Sequence, residues 1–141
     1  MTTIICDTTG MAGDRLISDG SSMDTVCKIK RESAELYGVA GDIVQATNLR
    51  DSIINYLIGI NDNVQQIEDG VVLRLCANGT IYVYHGSILG IRLTNTVSAI
   101  GSGASAALSA YACGKTLVEC VAIASKIDLY TGMGVDYLER L

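Results

Sequence analysis

From Asp42 onward, apolar residues recur at intervals of three and four: Ala46, Leu49, Ile53 and Leu57, with Ile43, Ile54 and Ile58 beside them. That period keeps one face of a helix apolar and predicts an amphipathic helix of about five turns, from Asp42 to near Gly59. Upstream the pattern is shorter. Thr3–Cys6 and Met11–Asp14, separated by the turn Thr8-Thr9-Gly10, read as short strands, and Asp19-Gly20-Ser21-Ser22 reads as a loop. Val26–Lys30 alternates, which places Val26, Lys28 and Lys30 on one face, and Glu35–Ala40 predicts a strand ending at Gly41.

Downstream, the polar stretch Asn61–Gly70 predicts a loop. Val71–Cys76 and Ile81–Tyr84 flank Asn78-Gly79, a hairpin signal because both residues tolerate positive φ. A strand at Val97–Ile100 leads into Gly101-Ser102-Gly103, and a small-residue helix follows over Ala104–Cys113, stopped by Gly114. Thr116 and Glu119 have the spacing of a capping box and open a last helix to about Lys126. Asp128–Gly134 reads as a loop and Val135–Leu138 as a terminal strand. Strands and helices are segregated and the hairpins are antiparallel, so the order predicts an α+β fold with helices stacked outside one or two sheets.

Composition narrows the function classes. The chain has 141 residues, 49% hydrophobic and 18% charged, with a mean hydropathy of +0.35. That suits one domain spanning 1–141 with a real core, not a disordered chain. A net charge of −5 argues against nucleic-acid binding. No apolar run approaches the roughly 18 residues of a membrane span, and no secretory signal is visible, so a cytoplasmic location is expected. Cys6, Cys27, Cys76, Cys113 and Cys120 are scattered, and His85 cannot complete a zinc set with them, which favours reduced thiols packed as small hydrophobes.

Five features carry candidate chemistry. Thr2 follows the initiator Met1, which is removed when the next residue is small; that would leave a hydroxyl beside a free α-amine able to take its proton. Threonine at this position is also common without meaning. Asp14 and Lys28 have the chemistry of a buried pair that shifts the proton affinity of a neighbour, or of solvated strand charges. Gly41 ends a strand just before a helix, where its N–H can face a developing oxyanion or merely serve a turn. Gly101-Ser102-Gly103-Ala104 mimics part of a dinucleotide fingerprint, but the βαβ unit that such a fingerprint needs is missing. Ser125, Asp128 and Thr131, spaced by three, can converge oxygens on a hard cation or simply finish a helix.

In register, Thr2-Thr3-Ile4, Ala12-Gly13-Asp14, Lys28 with basic followers, Ala40-Gly41, Ala99–Gly103 and Asp128–Gly132 resemble proteasome β-type subunits, most closely the bacterial HslV-type peptidase. The resemblance covers nearly the whole chain and is weakest in the middle. It implies a four-layer αββα sandwich of antiparallel sheets, the N-terminal-nucleophile hydrolase fold. It implies a threonine endopeptidase acting on unfolded polypeptides inside a chamber, with Thr2 as nucleophile and its amine as base. Asp14 and Lys28 then set the amine's proton balance, Gly41 supplies the oxyanion hole and Ser102 bonds near the amine. Ser125, Asp128 and Thr131 match a backbone and side-chain cation site for Na or Mg beside the active centre, with no cofactor required for the reaction. A homo-oligomeric ring and an ATP-dependent unfoldase partner are implied as well. One long helix stands where the family has a pair, so the helix layer is reduced, as in a compact or phage-encoded member. The rival readings are an inactive shell subunit of the same fold and a small-substrate amidohydrolase.

Overall fold

Alternate side chains of two antiparallel sheets enter different layers, and this sorting builds the molecule. The computed structural model describes residues 2–18, 22–60 and 69–141. The first sheet is formed by β1 (Ile4–Asp7), β2 (Gly10–Asp14), β10 (Val97–Ile100) and β11 (Val135–Glu139), in the order β10-β1-β2-β11. The second has the order β5-β6-β7-β8-β9, from β5 (Ile29–Glu32), β6 (Glu35–Gly41), β7 (Gly70–Leu75), β8 (Ile81–His85) and β9 (Ile91–Leu93). A separate ribbon pairs β3 (Leu16–Ser18) with β4 (Met23–Thr25).

Ile4, Cys6 and Met11 of the first sheet point inward and meet Leu36, Ala40, Leu73, Leu75 and Ile81 of the second. Their neighbours Ile5 and Ala12 point outward, onto Ala107 of α2 (Ala104–Ala112) and Cys120, Val121 and Ala124 of α3 (Leu117–Ile127). In the second sheet Tyr37, Val39, Val72 and Tyr84 point outward onto Ala46, Leu49 and Ile53 of α1 (Ile43–Leu57). The period of two along a strand produces this sorting. Both sheets are covered on both faces, so β1 and β2 read as unbroken buried runs rather than as alternating ones. The result is the four-layer αββα sandwich, with α2 and α3 on one side and, among the described residues, α1 alone on the other.

The helix signals hold up in detail. The Asp42 side chain accepts from the Val44 and Gln45 N–H groups and starts α1. Thr116 and Glu119 form both bonds of the capping box at α3. Four local readings change. The α1 helix runs 15 residues, about four turns rather than five. At the hairpin only Gly79 has positive φ, +88°. Asn78 instead turns its side chain onto the Thr80 N–H at 3.0 Å, inside a turn closed by Gly79 N–H donating to the Cys76 carbonyl. The strand expected from Val26 starts only at Ile29, so Lys28 and Lys30 do not share an alternating face. Lys28 is buried together with its neighbour Ile29, while Lys30 reaches solvent and pairs with Glu32. Finally, β3, β4 and β9 are three-residue strands where the pattern predicts none. Met1, the loop expected at Asp19-Gly20-Ser21 and positions 61–68 of the expected polar loop lie outside the described residues.

Candidate active site

The edge between β1, β2 and the segment entering β5 holds most of the buried polar side chains. Thr2, Thr3, Asp14, Lys28 and Thr131 are each at most 4% exposed. Asp14 closes β2 where that strand pairs with β1, and its N–H donates to the Thr3 carbonyl at 3.1 Å. Its carboxylate is enclosed by donors. Oδ1 accepts from the Thr3 N–H at 3.0 Å and from Lys28 Nζ at 2.9 Å, and Oδ2 accepts from the N–H groups of Leu16 at 3.3 Å and Gly132 at 3.2 Å. A buried ion pair is tolerable only when its remaining hydrogen-bonding capacity is filled in this way.

Lys28 is delivered by irregular chain between the ribbon and the second sheet. Its carbonyl accepts from the Val39 N–H of β6 at 3.0 Å, which fixes the backbone, and its side chain runs inward. Nζ donates at 2.9 Å to Asp14 Oδ1 and at 2.9 Å to Thr2 Oγ1. Burial pulls the lysine below its ordinary value, with the carboxylates of Asp14 and Asp128 working in the opposite direction. A positive group 2.9 Å from a hydroxyl oxygen lowers the cost of negative charge on that oxygen.

The Thr2 nitrogen donates to Ser102 Oγ at 3.3 Å, and Ser102 Oγ donates to Asp128 Oδ2 at 2.5 Å. Thr131 Oγ1 also donates to Asp128 Oδ2, at 2.7 Å, and stands 2.7 Å from Thr3 Oγ1. Partial burial acts to raise the Asp128 carboxyl, but hydrogen bonds from Ser102, Thr131 and the Tyr130 N–H outweigh it and hold the group below its ordinary value.

The glycines around Ser102 have steric reasons. A Cβ on Gly101, whose φ is +95°, would stand 2.1 Å from the Thr2 carbonyl oxygen, and one on Gly103 would stand 1.9 Å from Thr3 Oγ1. Gly103 N–H donates to that same Thr2 carbonyl at 3.2 Å. The Gly-Ser-Gly run is therefore a cradle for the Thr2–Thr3 backbone. The dinucleotide reading fails here, because β10 pairs antiparallel with β1 and no βαβ crossover passes through this run.

Thr2, Asp14, Lys28 and Ser102 thus join one hydrogen-bonded network. Gly41 stands outside it. It lies two residues along β6 from Val39, roughly 7 Å at strand spacing, with φ +95° and the Asp69 carbonyl 2.7 Å from where its Cβ would be. It opens on a cleft of about 530 Å³ that Ile17, Asp24, Ile43 and Asp69 also line. Where a cation site is expected at Ser125, Asp128 and Thr131, the side chains are engaged within the protein; the expectation also rests on their backbone, where the Asp128 carbonyl accepts from the Thr131 N–H at 3.2 Å. Ser125 Oγ donates back to the Ala122 carbonyl at 2.6 Å, and the oxygens of Asp128 and Thr131 are engaged with Ser102, Tyr130 and Thr3. Asp128 and Thr131 meet Ser102 and the Thr3 hydroxyl, while Ser125 turns back on its own helix. Thr3 is the member that sequence reasoning missed, since nothing in its neighbourhood shows that its hydroxyl would be buried.

In overall structure the chain is similar to eukaryotic HslV from Trypanosoma brucei, at 20% identity across 97% of this chain and 98% of that one, with a TM-score of 0.80. It is also similar to BPH from Thiobacillus denitrificans, at 18% identity across 99% of this chain and 98% of that one, with a TM-score of 0.71. BPH in complex with epoxomicin superimposes with a TM-score of 0.69 at 18% identity, again across 99% and 98% of the two chains. No family model matches the sequence, and no curated protein does. At these identities the likeness establishes the fold: this chain has the HslV and proteasome β-type fold that the sequence motifs resemble.

Proposed function

We propose that this chain is an N-terminal-threonine peptidase in which Thr2, freed of Met1, is the nucleophile. One observation carries the reading: a buried lysine donates at 2.9 Å both to the Thr2 hydroxyl and to the enclosed Asp14 carboxylate. A solvated strand face has no use for such a pair, whereas a hydroxyl that must lose its proton does.

The α-amine of Thr2, with a reference pKa near 8, accepts the Oγ proton directly or through one water. The Lys28 ammonium stabilises charge developing on Oγ as it attacks the peptide carbonyl carbon. The carbonyl oxygen becomes an oxyanion, and the Gly41 N–H donates to it. Collapse breaks the C–N bond, and the leaving amine takes the proton held by the Thr2 ammonium. An ester on Thr2 remains. The amine then deprotonates water, which adds to the ester and releases the acid. A residue still attached before Thr2 turns this nitrogen into an amide with no basic lone pair, and the cycle cannot start.

The test is covalent. The neighbour BPH has been seen in complex with epoxomicin, which serves as the probe. The purified protein is expected to weigh one methionine residue less than the full sequence and to gain one epoxomicin on Thr2 in intact and peptide mass spectra. A chain that begins at Thr2, hydrolyses small amides and ignores both epoxomicin and peptides would move the site to the amidohydrolase class. A protein that retains Met1 would be a shell subunit.

The substrates proposed are unfolded polypeptides, reached in a closed homo-oligomeric ring, with an ATP-driven unfoldase as feeding partner. The location proposed is the cytoplasm; no helix among the described residues is long and apolar enough to cross a membrane. Apolar side chains left in solvent support self-association: Leu129 is 86% exposed, Leu89 71% and Ile127 68%. Light scattering at micromolar concentration is expected to give a mass several times 14.9 kDa. A persistent monomer would remove the chamber, because it leaves the nucleophile open to folded proteins.

A further inference from the structure

The hydroxyls around Asp128 have a fixed polarity. A hydroxyl carries a single proton. Ser102 donates its proton to Asp128 Oδ2, so it receives the Thr2 nitrogen as an acceptor. Thr131 likewise donates to Asp128 Oδ2, so in the 2.7 Å contact between Thr131 Oγ1 and Thr3 Oγ1 the proton must come from Thr3. Two relays therefore run into one carboxylate, one from Thr2 through Ser102 and one from Thr3 through Thr131. Their outer ends sit on consecutive residues.

The second relay has been given room. Thr3 is fully buried and Thr131 is 4% exposed. A Cβ on Gly103 would lie 1.9 Å from Thr3 Oγ1 and 3.0 Å from Thr131 Oγ1, so only glycine leaves the hydroxyl pair intact. If these two sites needed only volume, valine would fill both without two buried polar atoms to satisfy.

We propose that Thr3 and Thr131 are positioning residues: their hydroxyl pair is the second arm of a clamp, anchored on Asp128, that holds the Thr2–Thr3 peptide so that Thr2 Oγ1 stays seated on Lys28. The inference rests on the reading of Thr2 as nucleophile. The first arm fixes the nitrogen of Thr2. The second fixes the rotation of the following residue, whose N–H is already bonded to Asp14. Nitrogen, Cα and Oγ of Thr2 are thereby set relative to the ammonium. Misplacing a reacting atom lowers turnover more than it lowers substrate binding.

The test compares shape with hydroxyl. Thr3→Val and Thr131→Val keep the shape and delete the relay, while Thr3→Ser and Thr131→Ser keep the hydroxyl and delete a methyl. Steady-state hydrolysis of a fluorogenic peptide by the full chain is measured with thermal unfolding alongside. The valine variants are expected to lose about tenfold in kcat, the worth of roughly one buried hydrogen bond, with KM within about twofold. The serine variants should stay within about twofold of the parent in both constants, and the double valine variant should lose no more than either single one, since either change breaks the same relay. Valine variants with parental kcat would overturn the proposal, as would serine variants as impaired as the valine ones. Valine variants that no longer fold would also overturn it, making the pair a stability element. A parent chain that neither turns over peptide nor reacts with epoxomicin would overturn the nucleophile reading itself, whereas a reactive parent beside unimpaired valine variants overturns only the clamp.

Discussion

Replacing Thr2 with alanine is expected to abolish hydrolysis, by at least about 10⁴-fold, while the protein stays folded. The substitution removes Oγ and one methyl group from a site that is 2% exposed. The Lys28 ammonium loses the Thr2 hydroxyl but keeps Asp14 at 2.9 Å, so no buried charge is orphaned. The stability cost is then that of one hydrogen bond and a small cavity, about 1–3 kcal/mol. Thr2→Ser keeps hydroxyl and amine and should retain part of the rate, reduced because a serine side chain without the methyl visits more rotamers. Single-turnover hydrolysis measured with circular dichroism decides the matter: a folded Thr2→Ala protein with parental turnover removes Thr2 from the chemistry.

Removing the Lys28 ammonium should be nearly as damaging, but for two separable reasons. Lys28→Ala or Lys28→Met deletes the cation beside Oγ and is expected to lower kcat by about 10²–10³, the size of one lost charge-stabilising donor. It also strands the Asp14 carboxylate, which is fully buried, and that costs about 3–5 kcal/mol. The double variant Lys28→Met/Asp14→Asn removes the stranded charge. It should recover much of the melting temperature and none of the activity. Recovery of both would make the pair structural, and an unchanged rate against pH in Lys28→Ala would place the lysine outside the reaction. The titration has a definite sign. Lys28 sits below its ordinary value because of burial, so between that lowered value and the ordinary one the unfolded chain binds more protons than the folded chain. Stability therefore rises with pH through that interval, and the slope should vanish in Lys28→Met.

How far the sequence could be read follows the range of each interaction. The Asp42 cap, the three-and-four spacing along α1, the Thr116–Glu119 box and the Asn78-Gly79 turn all act within about four residues. Each was legible and each appears in place. Strands β3, β4 and β9 are not legible: each spans three residues, too few to establish a period of two, and Met23, Asp24 and Thr25 of β4 are all exposed. Lys28 and Lys30 were grouped by alternation that the irregular segment before Ile29 does not follow. The spacing of Asp128 and Thr131 shows that their oxygens can converge, but not that Ser102 and Thr3 are the groups they meet.

The sequence by itself determined the helices, the turns, the buried runs that become a doubly covered sandwich, and the residue types that meet at its edge. Only the tertiary structure decided which of those residues touch. Thr2 reaches Ser102 across 100 positions, Asp14 reaches Gly132 across 118, and Thr3 reaches Thr131 across 128. No local rule spans such distances. They are closed when β10 and β11 pair with β1 and β2, a register chosen by hydrophobic burial over the whole sheet, and the polar side chains at that sheet's edge are carried into contact with it.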